Sequence, residues 1–212
     1  MWNKITHFGD ITIMAVAALA IAGWLLAENE KRLALIWALL FTIGMAIVVV
    51  TKIAFIGWGI GIPALDFTGF SGHATRAAAV LPVLAYLLFQ RAPPAGRVAA
   101  IALGYGAAVV LGISRLAVRA HSPSEVVAGL LLGALISGSF ILIAGSLQRH
   151  IFNPLRIMLV LLVLVPAPYV QPAPTQKWLT DVTLFFSGHS GPYERTGSCC
   201  ANTRARSFRF SL

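Results

Sequence analysis

The stretch ITIMAVAALAIAGWLLA (residues 11–27), the polar break ENEKR (28–32) and the run LALIWALLFTIGMAIVVV (33–50) decide the class of this fold. Two apolar runs without a charge, joined by a short polar turn, read as antiparallel membrane helices, since about 20 apolar residues cross a hydrocarbon core. The whole chain agrees. Of its 212 residues 58% are hydrophobic and only 11% charged, against roughly 25% charged in a soluble domain. Disorder is excluded too, because it needs low hydrophobicity. The length holds at most about six spans with short loops and leaves no room for a large soluble domain. The first run could instead be a signal peptide with Lys4 as its basic flank. It is longer than a usual apolar signal core, Asp10 separates it from the lysine, and no small-residue cleavage site follows.

Further apolar runs follow at 74–90, 98–114, 125–147 and 157–170. They define an expected all-α bundle of about six transmembrane helices over residues 1–170, with residues 171–212 as a basic tail. Between the second and third spans, TKIAFIGWGIGIPALDFTGFSGH (51–73) is apolar but rich in Gly. It reads as irregular backbone, which at membrane depth is tolerated only where it is buried in protein or lines a wet cavity. Gly104, Ala108 and Gly112 on the fourth run, and Gly129, Gly133 and Ser137 on the fifth, recur at helical spacing. They predict that these two helices pack closely on each other or on equally close neighbours. In the tail, residues 177–186 read as a short interfacial helix.

The formal charge of +9 would point to nucleic acid in a soluble chain. Here the basic residues stand at span ends and in the tail, where they set topology or meet anionic headgroups, so membrane lipids are the expected partner and nucleic acid is not. Cys199 and Cys200 are adjacent and give neither a metal spacing nor a disulfide framework. Lys31, Arg32, Arg91, Arg97, Arg149 and Arg156 fall on one face. The other face carries Lys4, Arg76 and Arg119 once Lys52 and Arg115 are set aside. This imbalance makes the first face cytoplasmic.

With that topology Lys52, Ser71, His73, Arg115, His121 and Glu125 meet at the opposite face, although they come from different span ends. Ionisable groups at membrane depth are costly and usually functional. Two imidazoles, two cations and a carboxylate make an anion site with acid–base capability.

These residues resemble the type 2 phosphatidic acid phosphatase family, whose blocks in order are K-x6-R-P, P-S-G-H and S-R-x5-H-x3-D. Lys52 matches the first lysine, FSGH at 70–73 the second block, and S-R-x5-H-x3-E at 114–125 the third. Three departures stand out: Gly59-Ile60 in place of Arg-Pro, Phe70 in place of proline, and Glu125 in place of aspartate. The lost arginine removes a bidentate phosphate contact, and Arg76, one turn past His73, is the expected partial substitute. The resemblance implies a six-span lipid phosphatase, with a lipid phosphate or diphosphate as substrate (of the phosphatidic acid, phosphatidylglycerol phosphate or undecaprenyl diphosphate type). It implies His121 as a nucleophile forming a phosphohistidine, Glu125 as its orienting carboxylate, and His73 as the acid. Lys52, Ser71, Gly72, Arg115 and Arg76 would bind phosphate, with no metal or cofactor. The setting implied is a bacterial inner membrane with the site on its outer, periplasmic face.

Plainer readings stand beside these. Ser122-Pro123-Ser124-Glu125 is also a capping box, which would leave Glu125 as a helix cap. His73 could be structural, and Lys52 and Arg115 could snorkel from helix ends. The whole chain could be a weak or inactive lipid-phosphate binder or transporter of the same fold. The blocks are also similar to those of vanadium haloperoxidases, a chemistry the membrane setting disfavours. A second FSGH at 186–189 lacks a following helix and an S-R-x5-H partner, and reads as coincidence.

Overall fold

The computed structural model describes residues 11–146, 175–188 and 191–193. The expected sixth span, the connector before it, Lys4, His189 and the end of the tail lie outside them. The regular elements among the described residues are all helices, with one isolated pairing of Ile62 with Phe67. The helices are α1 (Ile11–Ala27), α2 (Lys31–Trp58), α3 (Gly72–Leu88), α4 (Pro94–Ala117), α5 (Pro123–Ser146) and α6 (Thr175–Ser187). Among them α2, α4 and α5 are long and apolar enough to cross a membrane.

One expectation is corrected. Residues 51–58 are not irregular: α2 runs on to Trp58 and stops at Gly59, which takes a left-handed φ of 67°. The Gly59 N–H reaches the Phe55 carbonyl at 2.8 Å and the Ile60 N–H the Ala54 carbonyl at 3.2 Å. A glycine costs nothing sterically in this conformation, whereas a side chain does. Lys52 therefore sits inside the helix, well before its end. The irregular segment shrinks to residues 59–71.

α3 is the axis of the bundle. Alanine and valine at Ala74, Ala77, Ala78, Ala79, Val80 and Val83 are all fully or almost fully buried, and its most extensive packing is with α5 and α4. The small-residue stripes do bring backbones close, but mainly onto α3. A Cβ at Gly104 would lie 2.8 Å from Pro82 Cα, one at Gly129 would lie 2.7 Å from the Ser71 carbonyl oxygen, and one at Gly133 would strike the Thr75 carbonyl oxygen. Gly112 instead faces α5, where Val126 and Leu130 lie against it, and Ser137 on α5 meets the Tyr105 hydroxyl of α4 at 2.9 Å. Helices without a hydrophobic driving force between them in lipid gain from this close van der Waals approach.

The core between α1, α2, α3 and α5 is apolar and aromatic. Ile21, Leu25, Trp37 and Phe140 are essentially inaccessible, the Trp37 and Phe140 rings meet edge-on at 5.5 Å, and Trp37 Nε1–H donates to the Ala18 carbonyl at 2.9 Å. α1 thus belongs to the bundle. Leu35, Leu39 and Ile43 on α2, Leu103 on α4, and Leu131, Leu135 and Leu142 on α5 are exposed. Such a belt of outward apolar side chains fits hydrocarbon and not water.

Candidate active site

The site is assembled where α3 and α5 begin, where α4 ends and within the last two turns of α2. Ser71, the residue before α3, is extended (φ −69°, ψ 106°), and its N–H donates to the Glu125 carbonyl at 3.1 Å. This single backbone bond fixes the start of α3 against the start of α5. The Ser71 Oγ is fully buried and has no hydrogen-bond partner among the described residues. Around it are the first N–H groups of α3, which no helix can satisfy internally and which together with the helix dipole favour an anion.

Arg76 folds back over this helix start. A Cβ added at Gly72 would lie 3.0 Å from its Nη1, so glycine is what lets the guanidinium lie there, and its Nη2 is 3.4 Å from His73 Nδ1. The side chain is only 9% exposed. Guanidinium nitrogens only donate, so the facing Nδ1 carries the lone pair and the ring proton of neutral His73 is on Nε2. Arg76 is thus buried beside His73 and does not lie on the membrane surface, which strengthens the charge imbalance between the two faces.

Glu125 organises the other half. Its side chain is 1% exposed. Oε2 accepts from His121 Nδ1 at 2.7 Å and from the Ser122 N–H at 3.2 Å, while the Glu125 N–H makes a long 3.4 Å bond to Ser122 Oγ. The capping box and the contact with histidine therefore coexist in one carboxylate. Oε1 accepts from the Thr68 N–H at 2.9 Å and also from the Thr68 hydroxyl. Held this way Glu125 is acceptor-only, so His121 Nδ1 must donate and its Nε2 carries the lone pair. Burial pushes the His121 imidazole below its ordinary pKa; Lys52 and Arg115 act in the same direction and Glu125 opposes them.

The cations come from separate helices. Lys52 on α2 has Arg76, Glu125 and Arg115 as its charged neighbours. His73 in turn lies in the fields of Arg115, Arg76, His121 and Lys52. Arg115 stands in the last turn of α4. There the chain folds back, with the Ala120 N–H donating to the Arg115 carbonyl at 3.0 Å, and the short turn carries His121 to the start of α5, beside Glu125. All eight residues singled out from the sequence, Lys52, Ser71, Gly72, His73, Arg76, Arg115, His121 and Glu125, are thereby brought to one end of the bundle.

Thr68 is the residue that the sequence did not disclose. Its loop is a built structure: Ile62 and Phe67 exchange backbone bonds at 2.8 and 3.1 Å, Pro63–Leu65 is a 3-10 turn, and Ser124 Oγ donates to the Leu65 carbonyl at 2.7 Å. Gly69 rests on Thr51 and on the Lys52 stem. One threonine in an irregular segment carries no spacing signal, and only the folded loop puts it on Glu125. The second FSGH is different in kind. Ser187 ends α6 and Gly188 is left-handed (φ 69°), whereas Gly72 opens a helix. Among the described residues no cluster of His, Cys, Asp and Glu has the makings of a metal site.

Comparison with known proteins agrees with the block pattern. Residues 57–149 match the PAP2 superfamily. The chain is 41% identical over 204 residues, 92% of its own length and 96% of the relative's, to a Klebsiella pneumoniae protein described as an uncharacterized 22.5 kDa protein in cps region. No solved structure matches. The matched stretch takes in the end of α2, the loop that carries Thr68, and α3 to α5, so the chain is an integral membrane protein that belongs to the PAP2 superfamily, the type 2 phosphatidic acid phosphatase family.

Proposed function

We propose that the protein is a lipid phosphatase of the inner membrane, acting at the outer face on a lipid monophosphate or diphosphate through a phosphohistidine on His121. The observation that carries this reading is the 2.7 Å contact of Glu125 with His121 Nδ1, which leaves Nε2 its lone pair as a nucleophile, with Lys52 and Arg115 among the charged neighbours of the ring.

Phosphoryl transfer asks for charge stabilisation on the equatorial oxygens and in-line placement of the attacking and leaving atoms. The three cations, the Ser71 hydroxyl and the N–H groups that open α3 supply the first. His121 Nε2 attacks phosphorus, the bond from phosphorus to the leaving oxygen breaks, and Glu125 steadies the imidazolium that results. The negative charge of the bound phosphate offsets the cations around His73 and supports the imidazolium that protonates the leaving oxygen. In the second step His73 takes a proton from water, the water oxygen attacks phosphorus, and the P–N bond breaks to release inorganic phosphate and neutral His121.

The missing first-block arginine favours a second reading, a weak or inactive binder of lipid phosphates. Gly59 cannot be replaced by that arginine without strain, because its φ is 67° and a Cβ would lie 2.9 Å from the Tyr193 ring. Arg76 is the guanidinium that the fold offers instead. The deciding assay is phosphate release from a panel of lipid phosphates by the detergent-solubilised protein, with and without EDTA. Turnover that survives EDTA and disappears in His121→Ala supports the phosphatase. Phosphate-lipid binding without His121-dependent turnover supports the binder. In an active protein, Arg76→Ala should raise KM and lower kcat/KM by roughly 10- to 100-fold, the usual scale for a lost charge-assisted hydrogen bond; unchanged kinetics would remove Arg76 from the site.

A further inference from the structure

α6 has three distinct sides. At 100° per residue, Leu179, Thr183 and Ser187 form one stripe, and this stripe packs on α2: a Cβ at Gly57 would lie 2.9 Å from Thr183 Cγ2 and 3.4 Å from Ser187 Cβ. Thr183 is 1% exposed and returns its hydroxyl to the Leu179 carbonyl at 2.6 Å. Lys177 and Asp181, one turn apart, form an exposed polar stripe. Between the two lie Trp178, Val182, Phe185 and Phe186, all large, apolar and exposed, with the phenylalanines at 82% and 75%.

The height of this helix is fixed by its attachments. Gly57 is two residues from the end of α2, and just past α6 the Tyr193 N–H donates to the Ile56 carbonyl at 3.0 Å while its ring covers Gly59. α6 is therefore held at the membrane-face end of α2, the end that carries the site. Trp58 at the end of α2 and Ile60, Ile62 and Leu65 in the loop that follows are exposed, so apolar side chains continue from α6 along this end of the bundle. An aromatic and aliphatic row beside a charged stripe, at the level where a spanning helix ends, is the composition of a helix that lies in the headgroup–acyl boundary.

We propose that α6 is an interfacial helix bound to the lipid leaflet on the side of the candidate site. Its Trp178–Val182–Phe185–Phe186 face is seated in the acyl boundary and its Lys177–Asp181 stripe faces water, so that this end of the bundle is fixed at headgroup level. This goes beyond the catalytic reading and does not depend on turnover.

Single cysteines at positions 177, 178, 181, 182 and 185, in a protein with Cys199→Ser and Cys200→Ser, spin-labelled and reconstituted into phosphatidylethanolamine–phosphatidylglycerol vesicles, test it. Collision with oxygen and with a water-soluble nickel chelate gives a depth parameter at each site. The proposal requires positive depth at 178, 182 and 185 and negative depth at 177 and 181. Negative depth at all five would place the helix in water. Low access to both reagents at 178, 182 and 185, or dipolar broadening between labels on two copies, would show that protein covers this face. Either result overturns the proposal. Size-exclusion chromatography in detergent selects folded variants before reconstitution.

Discussion

Thr68 donates both its N–H and its hydroxyl to the oxygen of Glu125 that His121 does not use. The carboxylate cannot rotate without losing one side or the other, so Thr68 acts on His121 through Glu125 as a positioning residue. Thr68→Val keeps the backbone donor and removes the hydroxyl. In an active protein it should lower kcat by roughly 10- to 100-fold, the cost of one hydrogen bond to a buried charge, with little change in KM, and Thr68→Ser should restore most of the rate. A loss confined to KM would show that the threonine shapes binding instead. The pH profile tests the same chain of contacts. In the proposed mechanism His121 attacks in its neutral form, and burial lowers its pKa. The acid limb of kcat/KM should therefore fall below pH 6.5, the ordinary imidazole value of about 6.5. Glu125 is the group that opposes this lowering. Glu125→Gln should thus move the acid limb to still lower pH while reducing the plateau on the order of 10³-fold through loss of tautomer control. An acid limb that moves upward would separate Glu125 from His121 in function.

At the level of elements, the small-residue stripes show what a sequence can carry and what it cannot. Gly104, Gly129 and Gly133 mark faces of close approach, and the fold uses each of them so. Spacing on one helix names a face but never its partner, and the partner here is α3, whose own run of alanines makes it narrow enough to be flanked on two sides. The end of α2 was obscured for a related reason. Gly57, Gly59, Gly61 and Pro63 crowd together in the sequence and suggest a break from residue 51 onwards. Only Gly59 ends the helix, and Gly57 serves to admit Thr183. Gly133→Ala is predicted to destabilise by about 1–3 kcal/mol, because its Cβ would meet the Thr75 carbonyl oxygen and the Ala79 nitrogen, backbone atoms that cannot step aside. Gly106→Ala is the control. It points into open space and should be neutral or stabilise by up to about 1 kcal/mol through helix propensity. Thermal unfolding of both variants in the same detergent decides; equal midpoints would refute the packing assignment.

Across the whole molecule, the charged residues divide by face, and the fold changes the division in one respect. Arg76 is folded inward beside His73 and no longer counts among the surface charges opposite Lys31, Arg32, Arg91 and Arg97. The site's residue types and order were legible because each of its blocks is local: Ser71–His73 opens a helix, Arg115 ends one, and His121–Glu125 spans a turn and a cap. Their convergence was legible from topology alone, since an even number of spans separates the ends that carry them. The loop that supports them was not, because the position of Thr68 depends on the turn at 62–67 and on no periodic pattern. The same topology makes a sided prediction. Positive charge is retained in the cytoplasm, so the turn at 91–97 should lie inside and the loop at 59–71 outside. Ala64 and Ala95 are both exposed, one in each segment. Ala64→Cys and Ala95→Cys, each with Cys199→Ser and Cys200→Ser, should differ in intact cells. A membrane-impermeant maleimide should label the first strongly and the second only after the cells are opened. The reverse pattern would put the candidate site on the cytoplasmic side.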